Sequence, residues 1–243
     1  MQSNYSIDLT ESKDHILAAN TLVVTLDGPS GSGKGTLSQL VAKRLGFHLL
    51  DSGALYRLVA LSATKHSANL EDEKAIAAIA ASLDVRFDVQ GDTAKAFLAN
   101  EDVTAAIRQE EVGMNASLVA AYPLVRAALL QRQKDFAQAP GLVADGRDMG
   151  TTVFPHAAVK IFLTASAEAR AGRRYKQLQQ KGVSVTMAEL VKDIEARDER
   201  DTHRAASPLV PAADAMLLDS TSLTIDQVLE TILAKIYSVV DGV

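Results

Sequence analysis

Gly28-Pro29-Ser30-Gly31-Ser32-Gly33-Lys34-Gly35-Thr36 is the stretch that decides the fold. Ahead of it runs the apolar, β-branched Leu22-Val23-Val24-Thr25-Leu26, and behind it Leu37, Leu40, Val41 and Leu45 share one helical face. Strand, glycine loop and helix thus follow in the order of a phosphate-binding loop. Glycines let backbone N–H groups curl around an anion without Cβ clashes. The helix N-terminus adds partial positive charge, and Lys34 adds a full charge that reaches β- and γ-phosphates. The alternative, a chance glycine-rich turn, does not explain nine matching residues between a strand and a helix. One position departs from the general pattern. The residue after the lysine is usually a Ser or Thr that holds magnesium, and here it is Gly35, with Thr36 one later.

Further short apolar runs frame this loop. Phe47-His48-Leu49-Leu50 reads as a strand ending in Asp51-Ser52-Gly53, and Ala54 to Lys65 as a helix. Leu142-Val143-Ala144, Val159 to Leu163 and Met216-Leu217-Leu218 read as strands, each followed by polar residues and a helical pattern. Such alternation predicts an α/β fold, a parallel sheet covered on both faces. Chemistry in these sheets sits beyond the C-terminal strand ends. That rule makes Asp51-Ser52, Asp145 to Asp148 and the loop neighbours in space. Residues 69–112 break the alternation and read as an insertion. It holds a helix from Asp72 to Leu83 and a hairpin, Asp84 to Val89 with Lys95 to Leu98, around Gly91-Asp92. The last helix starts at Thr224, with Gln227 placed for a capping box and Ile225, Val228, Leu229, Ile232 and Ile236 as its apolar stripe. Residues 1–20 read as a loosely ordered extension, and 21–243 as one domain.

Composition narrows the function classes. The chain has 243 residues, 47% hydrophobic and 23% charged, which suits a globular protein. Its net charge of −5 argues against nucleic acid as a bulk partner. It has no cysteine, hence no disulfide frame or thiolate metal site, and its five histidines show no metal-ligand spacing. Residues 1–20 carry no basic start or long apolar stretch, and no run approaches a membrane span. A cytoplasmic protein without a membrane partner, and a monomer, is the expectation.

Three groups of residues carry chemistry. Ala144-Asp145-Gly146-Arg147-Asp148-Met149-Gly150 puts three charges directly after a buried strand. It is either a solvated turn or, by the strand-end rule, part of the site. Arg147 can clamp a phosphate bidentately, and Asp148 can accept from an exocyclic amine. Residues 166–204 hold six of the chain's 13 arginines and read as two helices joined near Gly182, with Thr186 and Glu189 as a capping box. Arg197, Asp201 and Arg204 fall on one face of the second. A salt-bridged, solvated helix pair is the plain reading. A mobile arginine-rich lid that holds phosphoryl charge and excludes water is the functional one. Ser52 and Arg57 flank the second strand's end, and Arg126 sits near a helix start, where its charge opposes the macrodipole.

Together these residues resemble bacterial cytidylate kinase, the CMP/dCMP kinase of the nucleoside monophosphate kinase group of P-loop kinases. The Lys34-Gly35-Thr36 ending, Leu49 to Arg57, Ala144 to Gly150, Glu199 to Arg204 and Pro208 to Ala215 carry the resemblance, which covers the chain from Leu22 onward. It implies a three-layer P-loop kinase fold with a five-stranded parallel sheet. The core would be 21–68, 113–165 and 205–243, the NMP-binding insertion 69–112 and the helical lid 166–204. ATP, carrying Mg²⁺, would lie on Gly28 to Thr36 with the lid arginines Arg173 and Arg174 over its phosphates. No metal ligand is assigned to the protein itself. CMP or dCMP would meet Ser52, Ser117, Arg126, Asp148 and Arg204 at the base, Arg197 and Asp201 at the sugar, and Arg57 and Arg147 at the phosphate. Lys34, Arg147, Arg197 and Arg173 would stabilise the transferring group. This places the chain in pyrimidine nucleotide metabolism. Other bases (UMP, AMP) are the near alternative. A GTPase switch would want an Asn-Lys-x-Asp stretch, which is absent, and an ATP-dependent nucleic-acid remodeller fits poorly with an acidic single domain.

Overall fold

The computed structural model describes residues 21–90, 93–180 and 182–240, so the expectations for residues 1–20 and for the Gly91-Asp92 turn lie outside the described residues. In chain order the elements are β1 (Val23–Asp27), α1 (Lys34–Leu45), β2 (His48–Asp51), α2 (Ser52–Lys65), α3 (Glu73–Ala81), β3 (Val85–Gln90), β4 (Thr93–Leu98), β5 (Glu101–Asp102), α4 (Glu110–Val119) and α5 (Pro123–Lys134). There follow β6 (Leu142–Gly146), β7 (Val159–Thr164), α6 (Ala167–Gln180), α7 (Met187–His203), β8 (Met216–Asp219) and α8 (Ile225–Val240). No single helix among the described residues is long and apolar enough to cross a membrane.

The five expected strands form one parallel sheet in the order β2-β6-β1-β7-β8. β1 is central, with Val24 opposite Val143 on one side and Val159 on the other. Side chains alternate across the pleat. Val24, Leu26, Val143, Ile161 and Leu163 meet Leu37 and Val41 of α1 and Val228, Ile232 and Ile236 of α8. On the other face Leu50, Leu142 and Ala144 meet α2 (Leu55, Leu58, Val59) and α5 (Val125, Leu129). Two apolar cores on opposite faces make the expected three layers. Burial of aliphatic side chains such as these stabilises by about 1.5–3 kcal/mol each.

Several boundaries differ from the sequence expectation. In α8 the stripe takes in Leu233 (2% exposed), while Ile225 is 40% exposed at the helix start beside the phosphate loop. The Thr224–Gln227 capping box is present. The helix whose start carries Arg126 stops at Lys134, because Pro140 and Gly141 follow and the chain must turn into β6. The insertion's hairpin β3–β4 gains a third strand, β5, too short to show a period. The insertion helix α3 is capped by Asp72, which accepts from the Lys74 and Ala75 N–H groups. In the segment expected as a lid, α6 packs on α7, and the Thr186–Glu189 capping box starts α7 as expected. After β6 the chain makes a single π-turn over Met149–Val153, a rare shape that favours functional sites.

Candidate active site

The loop leaves β1 at Gly28, where φ is 147° and a Cβ would lie 2.1 Å from the Leu163 carbonyl oxygen of β7. Only glycine fits so close to a neighbouring backbone. The first helical bond of α1 runs from the Leu37 N–H to the Gly33 carbonyl at 3.1 Å. The N–H groups of Lys34, Gly35 and Thr36 precede that ladder and are the donors of a helix start. No acidic residue sits in the first turn of α1 to compete with an anion. The loop's carbonyls are engaged from the lid side and from β8. Arg170 Nη1 donates to the Ser30 carbonyl (3.1 Å), Arg173 Nη1 to the Ser32 carbonyl (2.9 Å), and Ser220 Oγ to the same oxygen (3.3 Å).

Lys34 Nζ donates to the Pro29 carbonyl at 3.3 Å and lies 3.9 Å from Asp145 Oδ1. Burial, then the Arg147 guanidinium, pulls the Lys34 ammonium down to about 8. Burial lifts the Asp145 carboxyl to about 7 against the opposing pull of Lys34. Asp27, at the end of β1, accepts from the Met149 and Gly150 N–H groups, both at 2.8 Å. Burial raises it to about 6, and those two hydrogen bonds work against the rise. The turn that carries Arg147 and Asp148 is therefore pinned to the strand that carries the phosphate loop.

Beside the loop, a cavity of about 60 Å³ is lined by Ser52, Arg57, Ser117, Arg126, Arg147, Asp148, Arg197, Asp201 and Arg204, with Tyr56 and small residues of α2 and α4 between them. All nine side chains expected at the acceptor nucleotide thus face one space, although they come from four separate segments. Ion pairs fill its centre. Arg126 pairs with Asp148, both nearly fully buried, and Arg204 lies 3.9 Å from Asp148. Arg147 Nε donates to Asp201 at 2.9 Å. Burial works to raise the Asp201 carboxyl, but Arg147, Arg197 and Arg204 hold it below its ordinary value. Burial, then Arg147, lowers Arg197 to about 10. Its Nε and the Ser117 Oγ are buried without a hydrogen-bond partner, which is costly unless a ligand completes them. A ligand that enters this cavity meets these pairs first.

Protein groups hold the two expected lid arginines. Arg173 is tied to the Ser32 carbonyl and to Ser220 (2.5 Å to its carbonyl). Arg174 pairs with Glu110 at the start of α4, on the acceptor side. Both guanidiniums take a carbonyl or carboxylate that the fold brings near. Of the expected insertion 69–112, no residue lines the cavity. It touches the site through the Ile107 and Gln109 carbonyls, which accept from Arg57, and through Glu110, which pairs with Arg174. Sequence reading assigns no role to Asp27, Asp145 or Arg170. Asp27 and Asp145 both end buried strands and were within reach of the strand-end rule. Arg170 is 4% exposed and pairs with Asp198 of α7; nothing in the sequence separates it from the other lid arginines.

Comparison with known proteins agrees with this geometry. The cytidylate kinase family model matches residues 24–238. A cytidylate kinase of Aeromonas hydrophila subsp. hydrophila is 59% identical over 87% of this chain and 92% of its own. One of Vibrio parahaemolyticus serotype O3:K6 is 58% identical over 91% and 98%, and one of Saccharophagus degradans 60% identical over 88% and 96%. Among solved structures, a gluconokinase from Sinorhizobium meliloti 1021 aligns over 92% of this chain and 95% of its own at 12% identity, with a TM-score of 0.45, too loose to add to the argument. A glycine loop on the central strand, an arginine-lined cavity beside it and a match over nearly the whole length lead to one statement: the chain belongs to the cytidylate kinase family.

Proposed function

We propose that the protein transfers the γ-phosphoryl group of ATP to the phosphate of CMP or dCMP, giving ADP and CDP or dCDP. The observation that carries this reading is the buried Arg126–Asp148 pair, with Arg204 beside it, in a cavity whose Arg147 and Arg197 are close enough to Lys34 to depress its pKa. Cytosine offers an amino donor at position 4 and acceptors at N3 and O2. A carboxylate suits the amine and guanidiniums suit the acceptors. Uracil would set O4 against the carboxylate and N3–H against an arginine.

The acceptor phosphate is already an anionic nucleophile, so the transfer needs positioning and charge neutralisation rather than a general base. ATP phosphates lie on the loop N–H groups and Lys34. Arg57 and Arg147 hold the acceptor phosphate, and Asp201, freed when Arg147 turns to that phosphate, meets a sugar hydroxyl together with Arg197. The α6–α7 lid closes over both nucleotides and keeps out water that would otherwise take the phosphoryl group. Magnesium comes with ATP as part of the substrate. The oxygens that suit it are Asp145 Oδ1, buried without a hydrogen-bond partner, and the Thr36 hydroxyl. Residues 69–112 support the acceptor side from behind, through Arg57. A cytoplasmic, monomeric enzyme acting on small nucleotides is the matching cellular reading, supported by the net charge of −5.

The test is ADP release with ATP, Mg²⁺ and each of CMP, dCMP, UMP, AMP and GMP. CMP or dCMP should exceed UMP in kcat/KM by several orders of magnitude, since buried groups left unpaired reject a wrong pattern by roughly 10⁴–10⁵. UMP or AMP as the best acceptor would sink the cytosine reading.

A further inference from the structure

Gly113 lies inside α4, in Glu110-Glu111-Val112-Gly113-Met114-Asn115-Ala116. Its backbone is not among those with positive φ and is ordinary right-handed helix. Alanine would serve the helix better, because glycine loses more freedom on folding. A local choice that works against its own element points to another demand. Here the demand is visible. A Cβ at position 113 would lie 2.9 Å from both Nη1 and Nη2 of Arg57 and 3.2 Å from its Cζ. The guanidinium occupies the volume that a side chain would take. It is held there by the Ile107 carbonyl, 2.8 Å from Nη1, and more weakly by the Gln109 carbonyl at 3.4 Å. Gly113 is buried on the face that also carries Val112, Ala116 and Val119, and Ala116, Ser117 and Ala120 continue along α4 as cavity wall.

We propose that Gly113 is a positioning residue for phosphoryl acceptance: its missing side chain lets the Arg57 guanidinium lie against α4 at the height where it meets the acceptor phosphate. The inference rests on the assignment of Arg57 to that phosphate. An added methyl group would press on the far end of a flexible side chain and not on backbone. The fold therefore absorbs the change and the ligand does not. Carbon and nitrogen atoms settle about 3.5–4.0 Å apart, so the guanidinium must move away from α4. Misplacing a positioned group by about 1 Å costs up to roughly 10² in rate.

The experiment is a double-mutant cycle of Gly113→Ala, Arg57→Ala and both together, with kcat and KM for CMP and for ATP and the Tm of each protein. Gly113→Ala should lower kcat/KM for CMP roughly tenfold by that misplacement, with the KM for ATP unchanged and the Tm equal to the parent's or higher. In the Arg57→Ala background the same change should have no effect, because nothing is left to displace. If Arg57→Ala itself leaves kcat/KM for CMP intact, the acceptor role of Arg57 falls and the inference with it. If Arg57→Ala is damaging but Gly113→Ala is silent, lowers the Tm, or costs as much in both backgrounds, the role of Arg57 stands and that of Gly113 is overturned.

Discussion

In the phosphate loop the groups offered to an anion come from one unbroken stretch, 28–36, and are backbone N–H groups completed by Lys34. In the acceptor cavity they come from four stretches between Ser52 and Arg204 and are mostly guanidiniums. The loop is shaped by its own glycines and by the Leu163 carbonyl pressed against Gly28, so it exists before any ligand arrives. The cavity is shaped by arginines already paired with Asp148 and Asp201. One site is a cradle of backbone donors, whereas the other is a set of ion pairs between side chains. A charge removed from the cradle should therefore cost rate and spare the fold, while a carboxylate removed from the cavity should cost both.

Asp148→Ala presses hardest on that contrast. It leaves the Arg126 guanidinium buried without its partner, and breaking a buried pair from one side costs about 3–5 kcal/mol. The CMP-to-UMP ratio of kcat/KM should collapse together with stability. Denaturant unfolding alongside the two efficiencies reads both. A mutant as stable as the parent, or one with an unchanged ratio, would mean that the cavity is not organised around this carboxylate.

Lys34→Ala should give the opposite pattern. Loss of one preorganised charge stabiliser lowers turnover by roughly 10²–10³. The fold should hold, because the neighbouring Asp145, already lifted to about 7 by burial, takes up a proton once the ammonium is gone. Turnover with ATP and CMP, set beside the Tm, checks the pair of expectations. A loss under about tenfold would strip Lys34 of the role given it.

Glu110→Gln should do least. The Glu110–Arg174 pair is exposed, with side-chain exposures of 67% and 33%, and such pairs contribute about 0–1 kcal/mol. Unfolding should shift within that range, and the shift should shrink as salt is added. A larger destabilisation would make this contact part of the fold rather than a surface pair.

The same contrast explains what could be read from the chain. The loop is contiguous, and its strand and helix flank it, so residues 22–45 yielded strand, cradle and helix together. The five sheet strands were legible because each is an apolar run ending in polar residues. Ser52, Arg147 and Asp148 followed from the strand-end rule, since a parallel sheet brings its C-terminal ends to one side. The pairing of Arg126 with Asp148, by contrast, joins a helix to a turn, and no local pattern encodes it. Asp27 owes its place to N–H groups of Met149 and Gly150 far along the chain. Gly113 carries no local signal of its demand, which comes from the Arg57 guanidinium packed against it. Arg174 was legible as a charge but not in its partner, because exposed side chains choose among whatever carboxylates the tertiary fold brings near.

The central place of β1 bears on how the protein is made. Val24 is flanked by Val143 and Val159, and β2 pairs only with β6. A growing chain that has reached residue 141 has already synthesised the whole phosphate loop, yet neither β1 nor β2 has a strand to lie against. Local contacts form quickly, and pairings this distant in sequence form late. The strand that first secures β1 is β6, and the residues that emerge directly after it are Arg147 and Asp148. The order of translation thus brings Arg147 and Asp148 out directly behind the strand that first pairs with β1.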